Sequence, residues 1–354
     1  MSLTDDLAVR DLTDPAQGPH AIQEILAAIL DAVTTRWPAA DLLVHRGDRI
    51  VDVADNYDHL GYSPAAITRD ARYTRYVGER RMLRSQTSAL IPGALRRLRA
   101  PDTLIACPGI VYRRDCIDRL HTGTPHQLDL WRVTTAAPQP SGLLELVETT
   151  LAAALPGVPW RTSPADHPYT TNGLEIEARA AGDWVEIGEC GIAAPRVAGA
   201  GLALGLGLDR LLMLRKGIGD IRLLRSNDPR VAAQMLDLTP YRPVSAQPAA
   251  HRDVSVALPE GVTAEEIGDR VRDILGTDAT LVEEVSVLSA TPPDDLPPAS
   301  RDRLAMRPGE VNVLVRVILR DLHATLPRRR ANALRDRVYE GLHQPGVRRA
   351  GCRR

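Results

Sequence analysis

Two stretches of this sequence concentrate side chains that could do chemistry. Val111-Tyr112-Arg113-Arg114-Asp115-Cys116-Ile117-Asp118 is followed by His121 and then by His126-Gln127-Leu128-Asp129. Folded back on itself, such a segment makes a polar cleft with cations for phosphate and acceptors for an amine. The planar guanidinium of Arg113 or Arg114 can hold a phosphate through two parallel hydrogen bonds. The second stretch is Gly201-Leu202-Ala203-Leu204-Gly205-Leu206-Gly207-Leu208-Asp209-Arg210. Its alternating small residues let a ligand lie against a strand, and Arg210 then opens a helix. The same glycines would serve equally for close strand–helix packing. The stretch is neither a dinucleotide fingerprint nor a GK[ST] phosphate loop.

The elements that must position these residues are legible from apolar spacing. Ile22, Ile25, Leu26, Ile29, Leu30 and Val33 form one stripe and predict a helix. Asp41–His45 and Ile50–Val53 read as short strands. Leu104–Val133 reads as two strands joined by a long polar loop. Leu143–Leu155 predicts a helix, Trp184–Ile187 a strand, and Gly201–Arg215 a strand running into a helix. Hairpins mixed with separate helices point to an α+β fold rather than repeated βαβ units. Prolines 240, 243 and 248 mark a break. Beyond it Arg252–Leu258 alternates, and Thr263 with Glu266 has the capping-box spacing that opens a helix. Leu281–Ser289 and Val311–Arg320 read as strands, Thr291–Ser300 as a loop, and Arg328–His343 as a helix. With a last strand at Val347, the order β-α-β-β-α is that of a small ferredoxin-like domain.

Composition sets further bounds. The 354 residues include no phenylalanine; aromatics are 3 % and hydrophobic residues 44 %. The core must therefore be aliphatic, and an intrinsically disordered chain is excluded. At about 100–200 residues per domain the length predicts two domains. A net charge of −1 gives no strong global field to capture nucleic acid. The C-terminal part is the more basic, with Arg328-Arg329-Arg330 and a tail of arginines. Lys216 is the single lysine, as expected of a GC-rich coding bias. Four widely spaced cysteines (107, 116, 190, 352) form no CxxC pair, which suits a reducing cytoplasm and argues against disulfides or zinc. Neither a signal peptide nor a membrane-spanning run is legible, so a cytoplasmic protein without membrane association is expected.

Taken together and in this order, the two polar stretches resemble motifs 2 and 3 of class II aminoacyl-tRNA synthetases. The resemblance is to phenylalanyl-tRNA synthetases in their single-chain mitochondrial form, here a divergent paralogue. Asn56-Tyr57-Asp58-His59-Leu60 resembles the family's NFD-x-L stretch, and Met82-Leu83-Arg84-Ser85-Gln86-Thr87-Ser88 its LR-x-HTS stretch. His167-Pro168-Tyr169-Thr170 stands where the family has FPFT. Trp184-Val185-Glu186 with Cys190-Gly191 resembles WLE…GCG, and Gly217–Arg222 resembles GI-x-DIR. Arg252-Asp253-Val254-Ser255 and Thr325-Leu326 extend the likeness to the terminal domain.

The resemblance implies an antiparallel sheet flanked by helices in a catalytic domain spanning 1–240. It also implies a ferredoxin-fold anticodon-binding domain spanning 241–354. It implies ATP and Mg²⁺ as co-substrate and metal, and an amino acid and tRNA as partners. Class II catalytic domains are usually dimers and the single-chain relatives monomers, so both states stay open. By position, Arg113 would grip the α-phosphate. His121 and Arg210 would hold the γ-phosphate end, with Arg210 also covering adenine. Asp115 and Pro125 fall at adenine-contacting positions, and Glu186 at a magnesium carboxylate. Ser88, Gln127 and Asp129 would orient the substrate's ammonium and carboxylate.

Departures from the pattern cluster around the substrate. Pro125 replaces an adenine-stacking Phe, His167 and Tyr169 replace the two that clamp the substrate ring, and Glu189 replaces a small residue. Gln86 replaces the His of HTS, Ile91 a Gln, and Asp129 a Glu. Ala203 sits where a small residue leaves room for a larger substrate side chain. Donors and acceptors buried without partners are costly. These changes therefore favour phenylalanine or a more polar aromatic analogue as the amino acid adenylated and passed to tRNA. Two other readings share the motifs: a specialised-metabolism paralogue activating an unusual amino acid, and a non-catalytic tRNA-binding pseudo-synthetase.

Overall fold

A computed structural model describes residues 3–343 except 115, 136, 181, 245 and 246. Asp115 and the strand expected at Val347 therefore lie outside the described residues. The chain divides into two compact units: Ser2–Arg113 with Thr124–Arg242, and Arg114–Gly123 with Pro243–Arg354.

The larger unit is built on a seven-stranded sheet. Its strands are β1 (Asp41–Val44), β4 (Asp102–Ile110), β5 (His126–Thr134), β6 (Trp160–Pro164), β7 (Thr170–Ala180), β8 (Asp183–Ala193) and β9 (Gly201–Gly207). The spatial order is β1-β4-β5-β9-β8-β7-β6. Only β1 and β4 run parallel; every other neighbouring pair is antiparallel. Two further short strands, β2 (Ile50–Asp52) and β3 (Arg81–Leu83), pair as a separate ribbon.

Strand alternation sorts the central sheet into two faces. Leu128, Leu130, Leu202, Leu204 and Leu206 are buried on one of them. The helices Ala21–Arg36, Pro140–Ala154 and Leu208–Lys216 belong to this side: the second contacts β8 and β9, the third β5, and the first both other helices. The stripe Ile22, Ile25, Ile29 and Val33 is fully buried, as its spacing requires. The opposite face carries Ile105, Cys107, Trp131 and Ala203. These cluster with Tyr57, Leu60, Leu90, Ile91 and Tyr169. Gly109 on β4 is forced by a close approach: a Cβ there would stand 2.1 Å from the guanidinium of buried Arg84.

The smaller unit has strands β10 (Ala250–Pro259), β11 (Val282–Thr291) and β12 (Glu310–Leu319), in the order β10-β12-β11 and all antiparallel. Helices Ala264–Leu275 and Arg328–His343 complete a β-α-β-β-α sequence, and a short helix, Pro298–Leu304, begins in the last residues of the stretch expected to be loop. Thr263 and Glu266 form the reciprocal capping box. Val254, Val256, Val313, Val315 and Val317 meet Ile267, Val271, Leu334 and Val338 in an aliphatic core. Among the described residues, no helix is long and apolar enough to cross a membrane.

Candidate active site

The face of the large sheet away from the three helices gathers most of the polar residues singled out above. Register places Cys107 opposite Asp129, Asp129 opposite Gly205, and Gly205 opposite Glu189. Directly opposed residues share a face, so two carboxylates stand on either side of a glycine. A Cβ at Gly205 would lie 3.6 Å from Glu189 Cγ, so the missing side chain keeps the gap between the carboxylates open. One step along the sheet, Ile105, Trp131, Ala203 and Gly191 form the next row.

Asp129 is buried and hydrogen-bonded from three directions. Thr87 Oγ1 donates to Oδ2 at 2.7 Å, Ser88 Oγ to both oxygens at 3.0 Å, and Trp131 Nε1 to Oδ1 at 3.1 Å. Burial pushes its carboxyl up to about 6, against the opposing pull of these donors. The turn Thr87–Leu90 and helix Ile91–Leu95 hold Ser88 in place. Gln127 accepts from the Thr87 amide at 3.3 Å, so Ser88, Gln127 and Asp129 form one group.

Glu189 centres a second group. Tyr169 donates its hydroxyl to Oε1, and His167 Nε2 lies 2.9 Å from Oε2. Burial would raise the Glu189 carboxyl, but His167, the Tyr169 hydroxyl and the charge of Arg113 hold it below its ordinary value. His167 is raised in turn, first by its hydrogen bond to Glu189. The rings of Trp131, Tyr169 and His167 stack in series, with centroids 6.0 and 6.1 Å apart. Tyr62 completes the wall; burial and the charge of Glu189 push its hydroxyl up to about 12. The donors and acceptors expected to await a substrate therefore satisfy one another.

The arginines sit differently. Arg113 is exposed and its Nε donates to Ser85 O at 2.8 Å. Arg210, in the first turn of helix Leu208–Lys216, donates to Glu186 O at 2.8 Å and lies 3.4 Å from Glu186 Oε2. Strict alternation would put Glu186 and Glu189, three residues apart, on opposite faces. A bulge in β8 prevents this: Glu189 pairs with Glu175 and Glu186 with Glu177, leaving Ile187 as the extra residue. Pro125 is half-buried just before β5, and its carbonyl accepts from Val111 N–H at 2.8 Å. His126 has a structural place instead. It is buried against Asp209, with Leu12 N–H and Arg225 both donating to its Nε2.

His121 belongs to the segment that groups with the smaller unit. Its Nδ1 lies 2.6 Å from Asp118 Oδ2, and Cys116 Sγ lies 3.6 Å from the same oxygen. Within that unit Ile117 enters the aliphatic core and accepts from Val285 N–H at 2.7 Å, while Arg272 donates to Cys116 O at 2.8 Å. Cys190 is buried, as expected of a small packing residue, but Cys116 is only half-buried.

Sequence reasoning passed over Thr87, Tyr62 and Trp131 as site residues. The signal for Trp131 was present: it lies two residues beyond Asp129 on one strand, and so on the same face.

The profile of a family described as tRNA synthetases class II core domain (F) matches residues 11–235. The chain is 31 % identical to the phenylalanine–tRNA ligase alpha subunit of Prochlorococcus marinus strain MIT 9313 over 242 residues, covering 63 % of this chain and 69 % of that one. It is 30 % identical to the corresponding subunit of Leptospira biflexa, covering 61 % and 68 %. Among solved structures it is similar to the pyrrolysyl-tRNA synthetase of Desulfitobacterium hafniense, at 17 % identity and a TM-score of 0.46, covering 58 % of this chain and 73 % of the other.

Proposed function

Because the chain belongs to the class II tRNA synthetase core family, whose members are ATP-dependent ligases, we propose that it adenylates an amino acid and transfers it to tRNA. In the first step a substrate carboxylate oxygen bonds to the α-phosphorus while the bond to the β-phosphate oxygen breaks, releasing pyrophosphate. In the second a ribose hydroxyl of the tRNA attacks the acyl carbon and AMP leaves.

The observation that carries this reading is the shared face of β5, β8 and β9. It holds an ammonium-sized acceptor group (Asp129, Ser88, Gln127) on the same surface as Glu186 and the Arg210 that pairs with it. Arg113 would stabilise charge developing on the α-phosphate. Arg210 would hold the triphosphate end, and Pro125 would meet adenine. Glu186, with 55 % of its side chain exposed beside Arg210, fits a magnesium site, since an ion bridging phosphates takes only one or two protein carboxylates. When bound, the ion would neutralise phosphate charge. Residues 1–240 would form the catalytic domain. The C-terminal unit, with its β-α-β-β-α order and β10-β12-β11 sheet, supports a ferredoxin-like anticodon-binding domain over residues 241–354, where arginines would pair with RNA phosphates.

Phenylalanine or a more polar aromatic analogue remains the substrate that family resemblance favours. The mutual pairing of His167, Tyr169 and Glu189, however, removes the unpartnered groups on which a preference for a polar ring rested. The test is amino-acid-dependent ATP–pyrophosphate exchange in Mg²⁺, followed by charging of tRNA. Exchange with at least one amino acid is expected; tRNA binding without exchange for any amino acid would overturn the reading.

A further inference from the structure

One loop of the smaller unit, Arg114–Gly123, brings a thiol, a carboxylate and an imidazole together. Cys116 Sγ lies 3.6 Å from Asp118 Oδ2, and His121 Nδ1 lies 2.6 Å from the same oxygen. The three donor atoms all fall within 4.8 Å of one another, and among the described residues this is the one group of three such side chains placed to share an ion. His121, which resemblance put at the triphosphate end, sits here instead. The Asp118 and His121 side chains are 32 % and 31 % exposed, so an ion has a way in from solvent.

The backbone that carries these groups is held from outside the cluster. Ile117 is buried in the aliphatic core of its unit and accepts from Val285 N–H at 2.7 Å. Arg272 donates to Cys116 O at 2.8 Å, and Arg114 pairs with buried Asp269 at 3.4 Å. The carboxylate is aimed as well. Asp118 Oδ1 accepts from the amides of Leu120 and His121, at 2.6 and 2.9 Å, which leaves Oδ2 turned toward the thiol and the imidazole. Contacts of this kind orient a set of metal ligands from behind.

The donor set selects the ion. Sulfur, imidazole nitrogen and a single carboxylate oxygen suit Zn²⁺, unlike the all-oxygen shells of Mg²⁺ and Ca²⁺. Around tetrahedral zinc, bonds of about 2.0–2.3 Å put neighbouring donor atoms roughly 3.3–3.6 Å apart. The thiol and carboxylate already have that spacing. The imidazole and carboxylate, joined by a hydrogen bond at 2.6 Å, would part by about 0.7 Å as the ion takes the proton's place between them. We propose that Cys116, Asp118 and His121 form a zinc site, completed by water, that stiffens this loop. The site goes beyond the amino-acid-activating reading and does not depend on it. With one cysteine it lacks the paired spacing by which zinc motifs show in a sequence, which is why the sequence pointed away from zinc.

The test is titration of the full chain with Co²⁺ and then Zn²⁺, its thiols kept reduced by a phosphine. One equivalent of Co²⁺ should bind and give a near-ultraviolet thiolate-to-cobalt charge-transfer band with the intense visible bands of tetrahedral cobalt. Zn²⁺ should bleach both, and a large excess of Mg²⁺ should not. Cys116→Ser should abolish the charge-transfer band. Cys352→Ser, the control for the thiol in the C-terminal tail, should leave it unchanged. His121→Gln should weaken zinc binding by at least about 100-fold, beyond the cost of about 10–100-fold for losing an outer partner of a ligand. Amide exchange at Leu120 and His121 in the wild-type chain should slow when zinc is bound, a readout that needs no variant. Absence of stoichiometric cobalt or zinc binding by the wild-type chain overturns the proposal. So does a charge-transfer band that survives Cys116→Ser, zinc affinity unchanged in His121→Gln, or displacement of cobalt by magnesium. Every readout is independent of pyrophosphate exchange, so the zinc site and the proposed function stand or fall separately.

Discussion

The arginine end and the carboxylate end of the same sheet face are built on opposite plans. Arg113 donates to the backbone carbonyl of Ser85 and is exposed, and Arg210 donates to the backbone carbonyl and the carboxylate of Glu186. Asp129 and Glu189 are enclosed by side chains: Thr87, Ser88 and Trp131 around one, Tyr169 and His167 around the other. A guanidinium anchored through a carbonyl still has further N–H donors to offer a phosphate. A carboxylate wired into the core can take a ligand only by matching or displacing what already holds it. The first end can therefore change without disturbing the fold, whereas the second ties recognition to stability.

Substitutions should separate the two plans. Arg210→Ala is expected to reduce pyrophosphate exchange by about 10²–10³-fold, the cost of losing one preorganised stabiliser of developing charge. Its urea midpoint should stay at the wild-type value; an early midpoint would show that the arginine end is structural after all. Asp129→Asn should do the reverse. Thr87, Ser88 and Trp131 would face an amide that cannot accept from all of them, at a cost of about 1–3 kcal/mol, seen as a lower urea midpoint. Its KM for the amino acid should also rise while KM for ATP holds.

A finer test is pH. With its carboxyl raised to about 6 by burial, Asp129 loses its charge below that pH, so KM for the amino acid should climb about tenfold per pH unit beneath it. The Asn variant should be flat. Stability runs the other way: the folded carboxyl keeps its proton to about 6, while an unfolded one releases it near 3.8. This group's contribution therefore declines as pH rises through that window. The smallest change is expected for Glu186→Gln, a few-fold weaker dependence on Mg²⁺ that added magnesium restores, because one exposed carboxylate supplies a minor share of such a site.

The sequence conveyed the frame of both ends more fully than their wiring. Apolar spacing located the helix Ala21–Arg36, the pairing of β4 with β5, the strand-to-helix passage at Gly207 and the capping box at Thr263, because each follows from local periodicity or a short-range cap. Long β7 escaped notice although Leu174, Ile176, Ala178 and Ala180 alternate with Glu175, Glu177 and Arg179; only its first residues, Thr170–Gly173, lack the pattern. The hydroxyl partners of Asp129 come from a turn some forty residues earlier, and the partners of Glu189 from the turn just before β7. Spacing cannot reveal such meetings. Polar groups that looked unpartnered in the sequence proved to be one another's partners.

The bulge in β8 has a consequence for how the chain can change in length. Ile187 is the extra residue that the bulge absorbs, so that Glu186 and Glu189 share one surface although three positions apart. Deleting it would leave Glu186 two residues from Glu189, the spacing at which strict alternation already puts both on one face, so Glu186 would still oppose Glu177 and keep its surface. A single-codon loss at the bulge would thus keep the metal-type carboxylate with the amino-acid end, and insertions at the hairpin tip between β7 and β8 would leave the spacing untouched as well.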